Sequence, residues 1–335
     1  MSTRPRGGSD ERGQILVIVA GGMLALLVFL GLVIDGGNAF FNRRDAQNTA
    51  DIASLAGTRL IASFYTNPSQ PNRTQGAIYQ EIDRSVAAND CLANGATPCT
   101  WTAKFVGPGA SGPADIGPVV NTSNALPANT LGVRVFVNRL PGTFLARLAN
   151  MQTWNINTEA TALAETPAKA PAGILLPIAL KDGTYDAGQV YDITDGKDAP
   201  GGFGWLSWTG SNSAGALSTS VCTPNNPSFT LPTPFPADPG KSNSAAVRAC
   251  LDAWIASGQT VLIPIYSVIS GNGNNAVYTI TGIAAFVLTS RDQPAVDNIR
   301  GYFVEIYPYT NPVPGGLGST PPVPGDTTFF LGLVR

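Results

Sequence analysis

Ile15-Leu16-Val17-Ile18-Val19-Ala20-Gly21-Gly22-Met23-Leu24-Ala25-Leu26-Leu27-Val28-Phe29-Leu30-Gly31-Leu32-Val33-Ile34 is a run of twenty residues without a charge, an Asn or a Gln. At about 1.5 Å per helical residue it spans roughly 30 Å, the thickness of a bilayer's hydrocarbon core. Gly21, Gly22 and Gly31 would weaken a helix in water but are common in membrane helices. Asp35 marks the exit. A cleaved signal peptide is the alternative, because Gly37-Asn38-Ala39 offers small residues at a cleavage site, but its apolar region usually runs only about 7 to 15 residues. Length therefore favours a retained transmembrane helix over 13–35, preceded by a polar tail over 1–12 that reads as disordered and cytoplasmic.

The run continues without a Pro through Phe40-Phe41-Asn42-Arg43-Arg44 into a segment where Ala46, Ala50, Ala53 and Gly57 recur at helical spacing. This predicts a helix that leaves the bilayer and carries on in water. Small residues on one face let another element approach closely, while Arg43, Arg44, Asp45, Asp51 and Arg59 supply a wetted face. Core packing is the favoured reading of the stripe, and a dimer seam, hence a homo-oligomer, is the other.

Gly13-Gln14, the span ending in Gly31-Leu32-Val33-Ile34-Asp35-Gly36-Gly37, and Arg43-Arg44-Asp45-Ala46-Gln47-Asn48-Thr49-Ala50-Asp51 resemble the N-terminal signature of Tad-like proteins, the group related to the pilus-assembly proteins TadE and TadG. The chain departs from that pattern at Ala46 and Thr49, where the family has Leu and Ala. The resemblance implies a single-pass protein of a bacterial or archaeal cell membrane, associated with tight-adherence pili or a related secretion apparatus. Its partners would be the membrane and pilus or secretion-system proteins, and it would not be an enzyme. Minor pilins of such systems are cut after a Gly, with Glu at the fifth mature position; a cut after Gly13 would place Ile18 there, which speaks against processing. The larger relatives carry an Asp-x-Ser-x-Ser metal motif that this chain lacks, so no metal ligands are carried over.

Composition agrees with an exported protein. Formal net charge is −2, and with no long basic run between aromatic residues it argues against a nucleic-acid surface. Charged residues make up 13% of the chain, about half the usual share, while 37 Gly and 27 Pro suit loop-rich β structure. The absence of His and of Cys-x-x-Cys argues against a zinc site or a Cys/His catalytic pair, and no cofactor is implied. Cys91 and Cys99 flank a turn-forming insert, leaving Cys222 and Cys250 as a second pair. Such closures contribute about 2.5 and 3.5 kcal/mol by loop entropy, and they point to an oxidising compartment. Arg4, Arg6 and Arg12 precede the span and Arg43 and Arg44 follow it, a small bias towards a cytoplasmic N-terminus. The cysteines, all beyond the span, decide for an ectodomain outside.

Along the rest of the chain, Ala77, Ile78, Ile82, Val86 and Ala87 predict an amphipathic helix over Thr74 to Asn89, separated from the first by the Pro-containing Asn67 to Asn72. Strands are expected at Trp101 to Val106, Leu131 to Val137 and Thr153 to Ala164, with a short helix at Thr143 to Asn150 and an open connection over 107–130. The expected class is α+β, with the long helix covering a small antiparallel sheet in an ectodomain at 36–166. Glu165 to Pro171 reads as a boundary. Beyond it, over 167–335, a mainly β domain is expected, with strands at Ile174 to Leu180, Gln189 to Ile193, Thr260 to Ile269, Ala276 to Thr281, Ile283 to Thr289 and Gly301 to Tyr307. One helix is expected there, at Ser244 to Ala256. Asn311 to Asp326 reads as a surface loop before an edge strand at Thr327 to Val334.

Three stretches could carry chemistry. Gly271-Asn272-Gly273-Asn274-Asn275-Ala276 follows a strand like a dinucleotide loop but precedes another strand, so a hairpin with positive-φ positions is the better reading. Asp192, Asp195 and Asp198 could surround a calcium ion, although the spacing is not that of an EF-hand and Lys197 opposes it. Phe203, Trp205 and Trp208 could form a carbohydrate- or peptide-binding platform, which would make the chain an exported binding module unrelated to pili; most such clusters are core. No Gly-x-Ser-x-Gly surrounds any Ser.

Overall fold

The computed structural model of the chain describes residues 11–66, 71–110, 112–166, 169–183, 185–193, 204–211, 213–238, 243–292, 298–304, 306–307 and 329–334. Most of the 1–12 tail, the 67–70 and 167–168 connections, Asp195, Asp198, Phe203 and the 311–326 loop lie outside them. Among the described residues the elements run α1 (Glu11–Thr66), α2 (Gln75–Ala88), β1 (Cys99–Gly109), β2 (Gly112–Pro118), β3 (Gly132–Arg139), β4 (Ile156–Glu165), β5 (Lys169–Ala170), β6 (Leu180–Lys181) and β7 (Val190–Asp192). Then follow α3 (Ala214–Cys222), β8 (Phe229–Thr230), β9 (Thr233–Pro236), α4 (Ala245–Ser257), β10 (Thr260–Ser270), β11 (Val277–Arg291), β12 (Ile299–Phe303), β13 (Ile306–Tyr307) and β14 (Phe329–Val334). The class is α+β.

As the unbroken pattern predicts, α1 passes without interruption from the apolar run into the polar segment. Its large apolar side chains from Ile15 to Ile34 are 49% to 73% exposed, a surface that water would not tolerate but lipid would. From Gly31 onwards one stripe turns inward. Gly31, Asp35, Asn42, Ala46, Ala50, Ala53, Gly57 and Ile61 are buried at intervals of three, four or seven, the period of a helix face.

The described residues divide into two compact units: those up to Ala50 with Ser85–Thr102 and Phe136–Glu159, and Asp51–Arg84 with Ala103–Val135 and those from Ala160 onwards. In the first, the β3–β4 hairpin end lies along α1. The Cys91–Cys99 disulfide, with Cα atoms 4.8 Å apart, closes the connection from α2 to β1.

In the second unit, α1 meets the sheet at very short range. A Cβ placed on Gly57 would lie 2.9 Å from Ile82 Cγ1 and 3.0 Å from Val133 Cγ2, so glycine is required there for α2 and β3 to approach. Thr58 Oγ1 donates to Ala162 O at 3.0 Å and accepts from Val133 N at 3.1 Å, joining the helix to two strands. The strand order of this sheet is β13-β14-β4-β3-β1-β2. Two details differ from the sequence-based expectation. The 107–130 connection contains β2, which pairs antiparallel with β1 across a bulge and was masked by its Gly and Pro content. The last strand, β14, is interior to the sheet, between β13 and β4.

The other six-stranded sheet follows β6-β10-β11-β12-β7, with β9 also pairing to β11. Val261 to Tyr266 is buried at every position because both faces of the sheet are covered. Val261, Ile263, Ala284, Phe286 and Leu288 face α3 and α4 (Leu217, Val221, Val247, Leu251), while Leu262, Tyr266, Ile283 and Ala285 face an aromatic cluster with Trp208, Phe229 and Phe235. The 271–276 stretch is the β10–β11 turn, with Gly271 and Gly273 at φ of 75° and 55°, as a hairpin demands. The second disulfide, Cys222–Cys250, joins α3 to α4. α3 is a second helix where one was expected: its Ser- and Gly-rich sequence has weak propensity, and the Ser213 cap, the disulfide and a bond from Trp254 Nε1 to Val221 O hold it. Ile174 to Leu180 is buried but mostly not a strand, because Pro177 interrupts it and the Asn226 side chain takes up the amides of Ile174 and Leu175.

Candidate functional site

A polar cluster in the first unit sits where α1 leaves its apolar span. Asp35 turns inward, and its carboxylate accepts three backbone N–H bonds from the β3–β4 connection: Phe144 at 2.6 Å, Leu145 at 3.0 Å and Ala146 at 2.7 Å. It thereby caps the short 3-10 turn Ala146–Ala149. One turn further, Asn38 Nδ2 donates to Gly142 O at 3.1 Å, and Asn42 Nδ2 ties back to Asn38. Gln47 Nε2 donates to Glu159 O at 3.0 Å. One turn before, a Cβ on Gly31 would lie 2.7 Å from Leu145 Cδ1, so Leu145 packs directly on the bare glycine.

Arg139 is the other fixed point. The alternation that buries Leu131, Val133, Val135 and Val137 continues to Arg139 and places a cation on the core face. Its guanidinium, 5% exposed, pairs with Asp45 and donates from Nη2 to Asn89 O at 2.8 Å and Thr49 Oγ1 at 3.4 Å. One buried group thus ties α1, the turn after α2 and the end of β3 together. Neither Asp35 nor Arg139 stood among the sequence-derived candidates. Both were legible: Asp35 falls on the Ala46–Gly57 stripe extended backwards, and Arg139 on the valine row extended forwards.

The sequence-derived candidates are placed as follows. Ala46, Ala50 and Ala53 are fully buried and Gly57 is buried, each by packing within the chain. Trp205 is 1% and Trp208 8% exposed; both are core residues, Trp208 lying edge-on to Phe235 at 5.0 Å, and neither offers an open ring face to a ligand. Asp192 is the one described member of the suggested calcium set and sits in β7. Among the described residues no group of three or more His, Cys, Asp or Glu is arranged to hold a metal. Among the described residues, one open recess lies between Phe64, Tyr65 and Leu126 to Asn129 and another beside Ile174 and Trp254, and neither gathers an acid, a base and a nucleophile.

Titration is perturbed at structural contacts elsewhere in the second unit. Bonds from Arg291 hold the Asp252 carboxyl below the usual carboxylate range, and Asn298 with Arg300 does the same for Asp292. Burial pushes the Tyr278 phenol up, against a bond from Gly204 N.

The segment carrying Asp35, Asp45 and the small-residue stripe is the part of the chain that comparison recognises. Residues 13–62 match the family model "Putative Flp pilus-assembly TadE/G-like". The match begins before the apolar run and ends near the close of α1. No curated protein and no solved structure matches the chain. In this Tad-like region, the polar residues of the motif serve the fold: Asp45 neutralises Arg139 and Gln47 holds the β4 backbone. The family description names pilus assembly and no catalysed reaction.

Proposed function

We propose that the chain is a single-pass envelope protein, with its N-terminus in the cytoplasm and its α+β portion outside, that acts by protein binding in the assembly, anchoring or adhesion of a Flp-type pilus or a related secretion system. The observation that carries this reading is the coincidence of three things in α1: a lipid-compatible run, an unbroken helical exit, and the family match over 13–62. Two disulfides on the C-terminal side of the span support export. Phe40 and Phe41, 74% and 70% exposed on the aqueous part of α1, are suited to a protein partner. We also take 36–166 as the assembly module and 167–335 as the presented module, whose surface would meet the partner.

The test is made in the native host. A strain lacking the gene should lose piliation or adhesion, and the full chain should restore it, while Phe40→Ser with Phe41→Ser should leave the protein in the membrane fraction but fail to restore. Pili and adhesion unchanged in the deletion strain would remove the reading. Deleting the C-terminal module is a poorer test, because it also strips β14 from β4.

A further inference from the structure

The β3–β4 hairpin end carries an exposed apolar cluster that its role in holding α1 does not explain. Phe144 is 56% exposed, Leu148 83% and Met151 47%, and Leu145 packs on Gly31. Gly31 lies three residues before the end of the apolar run, about 4.5 Å inside it. The hairpin end is therefore level with the last turn of the lipid-facing segment, and Asp35 fixes it there through three bonds. Whatever surrounds α1 at Gly31 also surrounds the cluster.

A second, independent observation concerns the backbone. Polypeptide entering a medium poor in water must satisfy its own N–H groups. Asp35 takes those of Phe144, Leu145 and Ala146; Gln152 O takes Thr143 N, Leu145 O takes Leu148 N, Arg147 O takes Asn150 N and Ala146 O takes Met151 N. The Thr143 hydroxyl adds a bond to Met151 O. An ordinary exposed loop leaves such groups to water. Arg147, exposed at the same end, has the length to keep its cation among headgroups.

From these observations we infer that the segment from Phe144 to Met151 is a second membrane contact, a wedge whose Phe144, Leu148 and Met151 side chains enter the outer boundary between acyl chains and headgroups beside α1. The occupant of the patch is phospholipid. Insertion of this kind reaches about 5–10 Å into the boundary, which the position of Leu145 matches. The wedge would restrain the rotation of α1 about its own axis and fix the height at which the Arg139–Asp45 contact stands above the bilayer. The inference rests on the reading of α1 as a membrane span.

The experiment uses the full chain in vesicles of phosphatidylcholine and phosphatidylglycerol that contain a photoactivatable acyl-chain phosphatidylcholine, with cross-linked peptides located by mass spectrometry. Cross-links both in 15–34 and in 144–151 are the expected result. Cross-links in 15–34 alone would overturn the wedge and leave the span standing, and cross-links in neither would overturn both. As a second measurement, a nitroxide on Leu148→Cys should collide more with dissolved oxygen than with a water-soluble nickel complex, as one on Val28→Cys should. Water-like accessibility at 148 would overturn the wedge. Leu148 is exposed, so its substitution leaves the fold intact.

Discussion

The inward face of α1 and the sheet built on β10 and β11 are both buried, yet by opposite means. On α1 from Asp35 to Thr58 the buried positions are small or polar, Ala46, Ala50, Ala53, Gly57 and Thr58 among them, with Asp35 and Asn42 nearer the apolar run. Close approach removes room for large side chains, so specificity comes from hydrogen bonds made at fixed places, Asp35 to the hairpin and Thr58 to β3 and β4. Around β10 and β11 the buried positions are large and apolar or aromatic: Ile263, Phe286, Phe303, Trp205 and Tyr278. A helix that is apolar on every side from Ile15 to Ile34 cannot rely on apolar surface alone to fix its register. Polar clamps at the exit supply the register that hydrophobicity cannot.

This contrast can be broken at its apolar end first. Phe286, fully buried against Phe303 at 5.0 Å, should cost about 3–5 kcal/mol when replaced by Ala, read as a lower thermal midpoint of the full chain in detergent. A loss below about 1 kcal/mol would mean that this sheet is not packed as described. At the polar end the expected sign is asymmetric. Asp45→Ala leaves a buried guanidinium without its charge partner and should cost about 3 kcal/mol, whereas Arg139→Met, which fills the same space, should cost much less. Equal losses would show that packing, not the ion pair, holds that corner. Thr58→Val keeps the side-chain volume but removes the hydroxyl that bonds Ala162 O and Val133 N, and should cost about 1–3 kcal/mol, with faster hydrogen exchange at Val133 N.

The smallest effect concerns pH. The depressed carboxyls of Asp252 and Asp292 contribute stability that is fully present above their unfolded values and is lost as pH falls through their lower folded values. The thermal midpoint should thus fall below about pH 4, and Arg291→Gln should flatten part of that fall. Because the Asp252 and Asp292 side chains are 48% and 41% exposed, salt should weaken the effect. An unchanged profile in Arg291→Gln would remove Asp252 from the account.

How much was legible depended on whether a pattern was local. The apolar run, the continuous exit helix, α2, the valine strand and the β10–β11 hairpin follow from periodicity and turn chemistry within a few residues, and each is present. α3 was not legible, since its stability comes from Ser213, Trp254 and a cysteine 28 residues away. β2 was hidden because Gly112, Pro113, Gly117 and Pro118 argue against a strand until β1 is there to pair with. For the aromatic stretch, composition allowed either a platform or a core, and burial of Trp205 and Trp208 puts both in the core.

By itself, the sequence determined that the first helix is apolar enough for a bilayer, that it continues into water, that four cysteines outlast it, and that no histidine chemistry is available. These are properties of composition and short-range period. Only the tertiary structure decided that Asp35 and Arg139 are the clamps, that β14 returns to pair with β4, and that the hairpin end stands level with Gly31. Each joins residues tens to more than a hundred positions apart. Such contacts form only when the whole chain has paid the entropy of closing the loops between them, and no local pattern records which closures win.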